Sequence, residues 1–146
     1  MKELYLLLGT NLGDRETNVK RALEALDKAF SGRRLRKTGI METEACGFEG
    51  PAFLNAVVVY SSARKPETIL KICKRIERSM GRKDTPEYNA AGERVYHDRI
   101  IDIDILLYGD LEMHTPELTI PHPQVRERAF AAELLKEAGA KYRTSI

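Results

Sequence analysis

Asp102 and Asp104 stand two residues apart in the run Arg99-Ile100-Ile101-Asp102-Ile103-Asp104-Ile105-Leu106-Leu107-Tyr108-Gly109. Strand side chains alternate between faces, so both carboxylates share one face, their Cα atoms about 6.5–7 Å apart. Ile101, Ile103 and Ile105 take the other face and Leu-Leu-Tyr follows, which predicts a central, well-packed strand. Like charges held so close repel each other, and beside a core they need a cation. Two hard oxygen ligands flanking a common point suit one or two Mg²⁺ ions. The plain alternative is an amphipathic edge strand whose aspartates face water. Asp is a poor strand former, and two of them within an Ile-rich run weigh against that alternative.

Other residues that could act with this pair are Arg82 and Arg99 before it, His122 and Arg128 after it, and Asn55. Together they suit phosphoryl transfer, in which metal ions neutralise charge, arginines hold phosphates and placement does most of the work. No Ser/His/Asp or Cys/His arrangement for nucleophilic catalysis is evident. His122 lies in Pro-His-Pro with two arginines following; a structural and a catalytic role weigh about equally there. Asn55 interrupts a β-rich run and is either a satisfied core amide or a ligand-reading one.

The elements that must position these residues follow from periodicity. Leu4 to Leu8 predict a buried strand that ends at Gly9-Thr10-Asn11-Leu12-Gly13-Asp14. That loop fits neither a Walker A motif nor a dinucleotide fingerprint and reads as a tight turn. A helix starts near Asp14 or Arg15, carries Val19, Ala22, Leu23, Leu26 and Phe30, and stops at Ser31-Gly32. Arg33 to Thr43 reads as a strand anchored by Leu35 and Ile40, and Glu44 to Pro51 as a loop. Phe53 to Ser61 is a clear strand. Pro66 and Glu67 open a second helix with the stripe Ile69, Ile72, Cys73, Ile76 and Met80, ended by Gly81.

Residues 81–99 form a long, polar, basic segment that reads as a structureless lid or binding loop leading into the Asp pair. Gly109-Asp110 signals a two-residue hairpin returning through Leu111-Glu112-Met113. Prolines keep 119–123 extended, a helical turn spans Gln124 to Arg128, and a last helix spans Phe130 to Ala138. The order β-α-β-β-α-β-β-α predicts an α+β, ferredoxin-like sandwich, mainly antiparallel, with helices on one face of the sheet.

The chain has 146 residues, enough for one domain over 1–146 with a real core. A formal charge of +2 with 32% charged residues argues against a nonspecific polyanion binder. The acidic pair argues the same way against a noncatalytic RNA-binding module. Cys46 and Cys73 lack metal-ligand spacing and read as reduced thiols. The N-terminal apolar run is too short for a signal peptide or a membrane span, so a soluble, cytoplasmic protein is expected.

Several ordered motifs resemble one family, the hydroxymethyl-dihydropterin pyrophosphokinases. They are Leu8-Gly9-Thr10-Asn11-Leu12-Gly13, Phe53-Leu54-Asn55-Ala56, Ile76-Glu77-Arg78-Ser79-Met80-Gly81-Arg82, the Asp102 strand, and Thr119-Ile120-Pro121-His122-Pro123 with Arg128 and Phe130. Each motif alone is weak, and their shared order across nearly the whole chain is strong. The resemblance implies transfer of the β,γ-diphosphate of ATP to the hydroxymethyl group of a reduced pterin, with release of AMP. It implies that Asp102 and Asp104 bind two Mg²⁺ ions, and that Arg82 and Arg99 act in catalysis on the phosphates. His122 and Arg128 match the phosphate side of the ATP site, while Leu70, Glu77, Ile105 and Thr119 match positions around the adenosine. Phe53 and Phe130 match the aromatics that sandwich the pterin, Asn55 its reading amide, and Thr43, Glu44, Ala45 and Cys46 the backbone framing it. A monomer acting on small molecules, with no nucleic acid or membrane partner, is expected.

The chain also departs from the family pattern. Glu44-Ala45 replaces a usual Pro-Pro, and Glu117 falls where an ATP-side arginine is common. The segment between Arg82 and Arg99 is longer than usual and the chain has no tryptophan. Tyr96 is expected in the place of that tryptophan, and Arg94 as the remaining arginine of the segment.

Overall fold

A computed structural model describes residues 1–44, 50–81, 87–88, 90–91, 94–95 and 100–140, with backbone alone considered at 87–88 and 94–95. The apolar run after the N-terminus forms β1 (Lys2–Thr10), buried from Leu4 to Thr10. A strand buried on both faces needs a strand at each edge and a layer above and below. β1 has β4 (Phe53–Ser62) on one side and β7 (Asp102–Tyr108) on the other, both antiparallel. Two short strands, β2 (Arg34–Lys37) and β3 (Met41–Thr43), pair successively with the far edge of β4. The sheet order is β2-β4-β1-β7, antiparallel throughout, as the α+β sandwich reading expects.

Alternation divides the core in two. Leu4, Leu6, Leu8, Ile101, Ile103 and Ile105 face one layer, made by α1 (Arg15–Ala29) and α2 (Pro66–Ser79). Tyr5, Leu7, Val57 and Val59 face α3 (Gln124–Glu127) and α4 (Ala129–Glu137) through Val125, Leu134 and Leu135. Helices therefore cover both faces of the sheet, not the single face expected. The short chain after β7 carries a second apolar stripe, and that stripe has the opposite face to bury. Asp14 caps α1, its carboxylate accepting the Thr17 N–H at 3.1 Å, which also holds its pKa below the usual value.

Three further sequence expectations are corrected. β7 is well packed but ends the sheet order among the described residues, so it is an edge strand and not a central one. Its outer edge is covered by polar partners: Glu77 Oε2 accepts the Ile103 N–H at 2.7 Å, and the His122 N–H donates to Leu106 O at 3.0 Å. Leu35 and Ile40 do not anchor a strand; they are 46% and 47% exposed. Thr38, buried instead, pairs with both backbone groups of Val57 and breaks the stretch into β2 and β3. Gly109-Asp110 turns the chain without making a hairpin on β7. β8 (Met113–His114) pairs with β9 (Thr119–Ile120) across a tight turn closed by Thr115 and Leu118.

The segment expected to be structureless contains a small antiparallel ribbon, β5 (Glu87–Tyr88) with β6 (Arg94–Val95). Its ends converge: the Ile100 Cδ1 atom lies 3.2 Å from where a Cβ on Gly81 would stand. Gly81 has φ +101, a conformation that L side chains rarely adopt. No helix among the described residues is long and apolar enough to cross a membrane.

Candidate active site

The site begins with a row across three strands. Gly9 pairs with Asn55 on one side and with Asp102 on the other. Partners in one row point to one face, so Asn55 and Asp102 flank a residue without a side chain. A Cβ on Gly9 would stand 3.3 Å from Asn55 Oδ1 and 3.6 Å from Phe53 Cδ1. Glycine here lets Asn55 and Phe53 close over the strand. One row further, Leu7 pairs with Asp104, which puts both carboxylates on the face that carries α3 and α4.

Asp102 and Asp104, both partly exposed, open into a cavity of about 340 Å³ at the outer edge of β7. Leu70, Glu77, Ile105, Thr119 and His122, all expected on the nucleotide side, line the same cavity. Glu117, placed on the ATP side by the sequence, also lines it, and Lys74, Ile103, Pro116, Leu118 and Pro123, not assigned to the site from the sequence, complete the lining. Lys74 lies four residues after Leu70 and three before Glu77, so helical spacing was the signal that could have found it. Glu117 brings a further carboxylate to this lining. Beneath this cavity Cys73 is a free, fully buried thiol. Burial raises its pKa, and the nearby charges of Glu77 and Asp104 raise it further.

His122 sits at the cavity mouth, and its Nδ1 accepts the Gln124 N–H at 3.1 Å. The neutral ring therefore carries its proton on Nε2 and is a donor there. Burial lowers its pKa most, opposed by Asp102 and Glu127 and aided by Arg128. Gln124 continues outward through its side chain. Its Nε2 donates to Asp104 Oδ2 at 2.8 Å, and its Oε1 accepts from Arg128 Nη1 at 3.3 Å. The Arg128 guanidinium in turn lies 5.3 Å from the centroid of the Phe130 ring. Arg128 and Phe130 are thus joined to the carboxylate pair through a residue that the sequence reading passed over. The spacing of Gln124 and Arg128, i and i+4 on one helical turn, was the available signal.

On the other side of Gly9, Asn55 is a buried and satisfied amide. Its Nδ2 donates to Met41 O at 3.2 Å and to Thr43 Oγ1 at 2.8 Å, so it also fixes β3. Phe53 and Thr43 pair across β4 and β3 next to it, and Glu44 follows, exposed. The Gly9–Asp14 turn braces this side. Asn11 Nδ2 donates to Pro51 O at 3.1 Å, and Arg15 Nη1 to Ala52 O at 2.8 Å. Asn18 in turn holds Thr10 Oγ1 and Leu12 O. Ala45, Cys46, Arg82, Tyr96 and Arg99 lie outside the described residues, as does the side chain of Arg94.

An antiparallel α+β sandwich with a paired carboxylate beside a nucleotide-sized cavity is the build of a phosphotransferase. The chain belongs to the 7,8-dihydro-6-hydroxymethylpterin-pyrophosphokinase family, whose sequence model matches residues 5–139. It is 48% identical over 132 residues to the 2-amino-4-hydroxy-6-hydroxymethyldihydropteridine pyrophosphokinase of Porphyromonas gingivalis, covering 89% of this chain and 86% of the relative. The Bacillus subtilis enzyme of the same name is 33% identical over 134 residues, covering 91% and 75%. The mitochondrial folate synthesis bifunctional protein of Pisum sativum is 37% identical over 131 residues, covering 88% of this chain and 24% of that longer protein.

Proposed function

We propose that the cavity beside β7 takes ATP and that the face between Asn55 and Asp102 takes the pterin. The enzyme transfers diphosphate from ATP to the hydroxymethyl group of 6-hydroxymethyl-7,8-dihydropterin, a step of folate biosynthesis. The observation that carries the site assignment is the Asn55–Gly9–Asp102 row. It sets an amide able to read a heterocycle about 9.5 Å across the sheet from Asp102.

Asp102 and Asp104 fit Mg²⁺ by donor chemistry. Both are hard carboxylates, and among the described residues no cluster of three or more His, Cys, Asp or Glu builds a full cage. Magnesium commonly uses one or two carboxylates, with water and substrate phosphates supplying its other ligands. Two ions bound there would neutralise the phosphates and polarise the oxygen that attacks the β-phosphorus. In this reading His122 Nε2–H donates to a phosphate oxygen, and Arg82, Arg99 and Arg128 hold the diphosphate as it moves. Leu70, Ile105 and Thr119 line the adenosine side. Glu77 is committed to the Ile103 N–H and shapes that wall. Phe53 and Phe130 supply aromatic faces for the pterin, with Thr43, Glu44, Ala45 and Cys46 framing it. A cytoplasmic monomer is part of the same proposal.

Thermal melting tests the assignment. A nonhydrolysable ATP analogue should raise Tm only with Mg²⁺, and adding the pterin should raise it further. Asp102→Asn and Asp104→Asn should lose the Mg²⁺-dependent shift. A shift of unchanged size in both variants would contradict the metal assignment.

A further inference from the structure

We infer that Gln124 is a positioning residue that sets the affinity of the carboxylate pair for metal-bound nucleotide, an inference that rests on the reading above. Its contacts form a hub of three. The backbone N–H fixes the His122 ring, the side-chain N–H₂ holds Asp104 Oδ2, and the side-chain oxygen accepts from Arg128. Three side chains proposed for one phosphate cluster thus bond to one residue. Asp104 stands on an edge strand and is partly exposed. The 2.8 Å bond from Gln124 engages Oδ2 and fixes the rotation of the carboxylate. A carboxylate that is already turned loses less freedom when a cation arrives. The residues that orient metal ligands in this way typically control affinity 10–100-fold, by roughly that factor when removed.

The two halves of Gln124 separate in a variant. The tautomer of His122 depends on the backbone N–H and survives any side-chain change, whereas the holds on Asp104 and Arg128 do not. Gln124→Met keeps length and volume and removes both polar ends. Isothermal titration with α,β-methylene ATP, with and without Mg²⁺, reads the consequence. The expected result is about 10–100-fold weaker Mg²⁺-dependent binding. Metal-free binding should change far less, and the unliganded Tm should stay close to the parent value. Gln124→Asn, which keeps the amide but falls a methylene short of Asp104, should show the same selective loss if Gln124→Met melts early.

Parent-like Mg²⁺-dependent binding in Gln124→Met overturns the inference. So does an equal loss with and without metal, which would make the residue a packing element only. Asp104→Asn separates the two layers of argument. If it binds Mg²⁺-nucleotide like the parent, the metal assignment itself fails; if it loses binding while Gln124→Met does not, only the role of Gln124 fails.

Discussion

Asn55 and Asp102 stand in the same row of the sheet, on either side of Gly9. Two strand spacings, about 9.5 Å, separate them, and no side chain rises between. A flat ring held at Asn55 can therefore extend a substituent along the floor of the sheet toward the carboxylates. In the proposed assignment, this relationship joins the two binding regions into one site.

Gly9→Ala tests that floor. The added methyl would stand 3.3 Å from Asn55 Oδ1 and must push it or the Phe53 ring aside. Overpacking of this kind costs about 1–3 kcal/mol. The KM for the pterin should rise while the KM for ATP holds, in steady-state kinetics with each substrate varied. Equal changes in both would show that the row does not divide the site as described.

Glu77 is buried on α2 and accepts the edge N–H of Ile103. Glu77→Ala leaves that donor unpaired and should cost about 1–3 kcal/mol in urea unfolding, whereas Glu77→Gln keeps an acceptor and should cost less. If the two variants are equally destabilised, charge and not the hydrogen bond is what Glu77 contributes.

His122 gives the metal-free protein a pH signature. Burial places its folded pKa below the ordinary 6.5, so the neutral ring is favoured in the fold. Below about pH 6.5 the unfolded chain binds the extra proton first, and stability falls with falling pH. His122→Gln should remove this component. Parent stability minus variant stability, measured in EDTA, should fall as the pH is lowered from about 7.5 to about 5. Parallel curves would contradict the shift.

Arg15 braces the chain that leads into Phe53 through its 2.8 Å bond to Ala52 O. Arg15→Leu should raise the pterin KM roughly threefold to tenfold, the scale of one lost hydrogen bond to a charged donor at a partly exposed site. The melting temperature should move little. An unchanged pterin KM would remove Arg15 from the account.

What was legible in the sequence is what local periodicity encodes. The alternation around Asp102, the stripes of α1 and α2 and the helix start near Asp14 all reappear, because each depends on residues within one element. Edge position was not legible. The Ile-rich face of β7 packs as a central strand would, and its outer edge is covered by Glu77 and His122, from distant parts of the chain. Leu35 and Ile40 misled because Thr38 takes the inward place between them through hydrogen bonds to Val57. The helical turn at Gln124 and the helix from Phe130 were read from the sequence, but nothing local to them says that they cover the opposite face of the sheet. Gln124 was half legible: its i, i+4 spacing to Arg128 is local, but its bond to Asp104 exists only where the turn meets the strand face.

The reaction itself offers the most direct measurement. Incubation with ATP, Mg²⁺ and 6-hydroxymethyl-7,8-dihydropterin, with the nucleotide product resolved by chromatography, reads which phosphorus is attacked and whether the carboxylate pair is required. The account predicts AMP in a one-to-one ratio with pterin diphosphate, lost in both Asp102→Asn and Asp104→Asn. Formation of ADP, or turnover at the parent rate in the double variant, would contradict it.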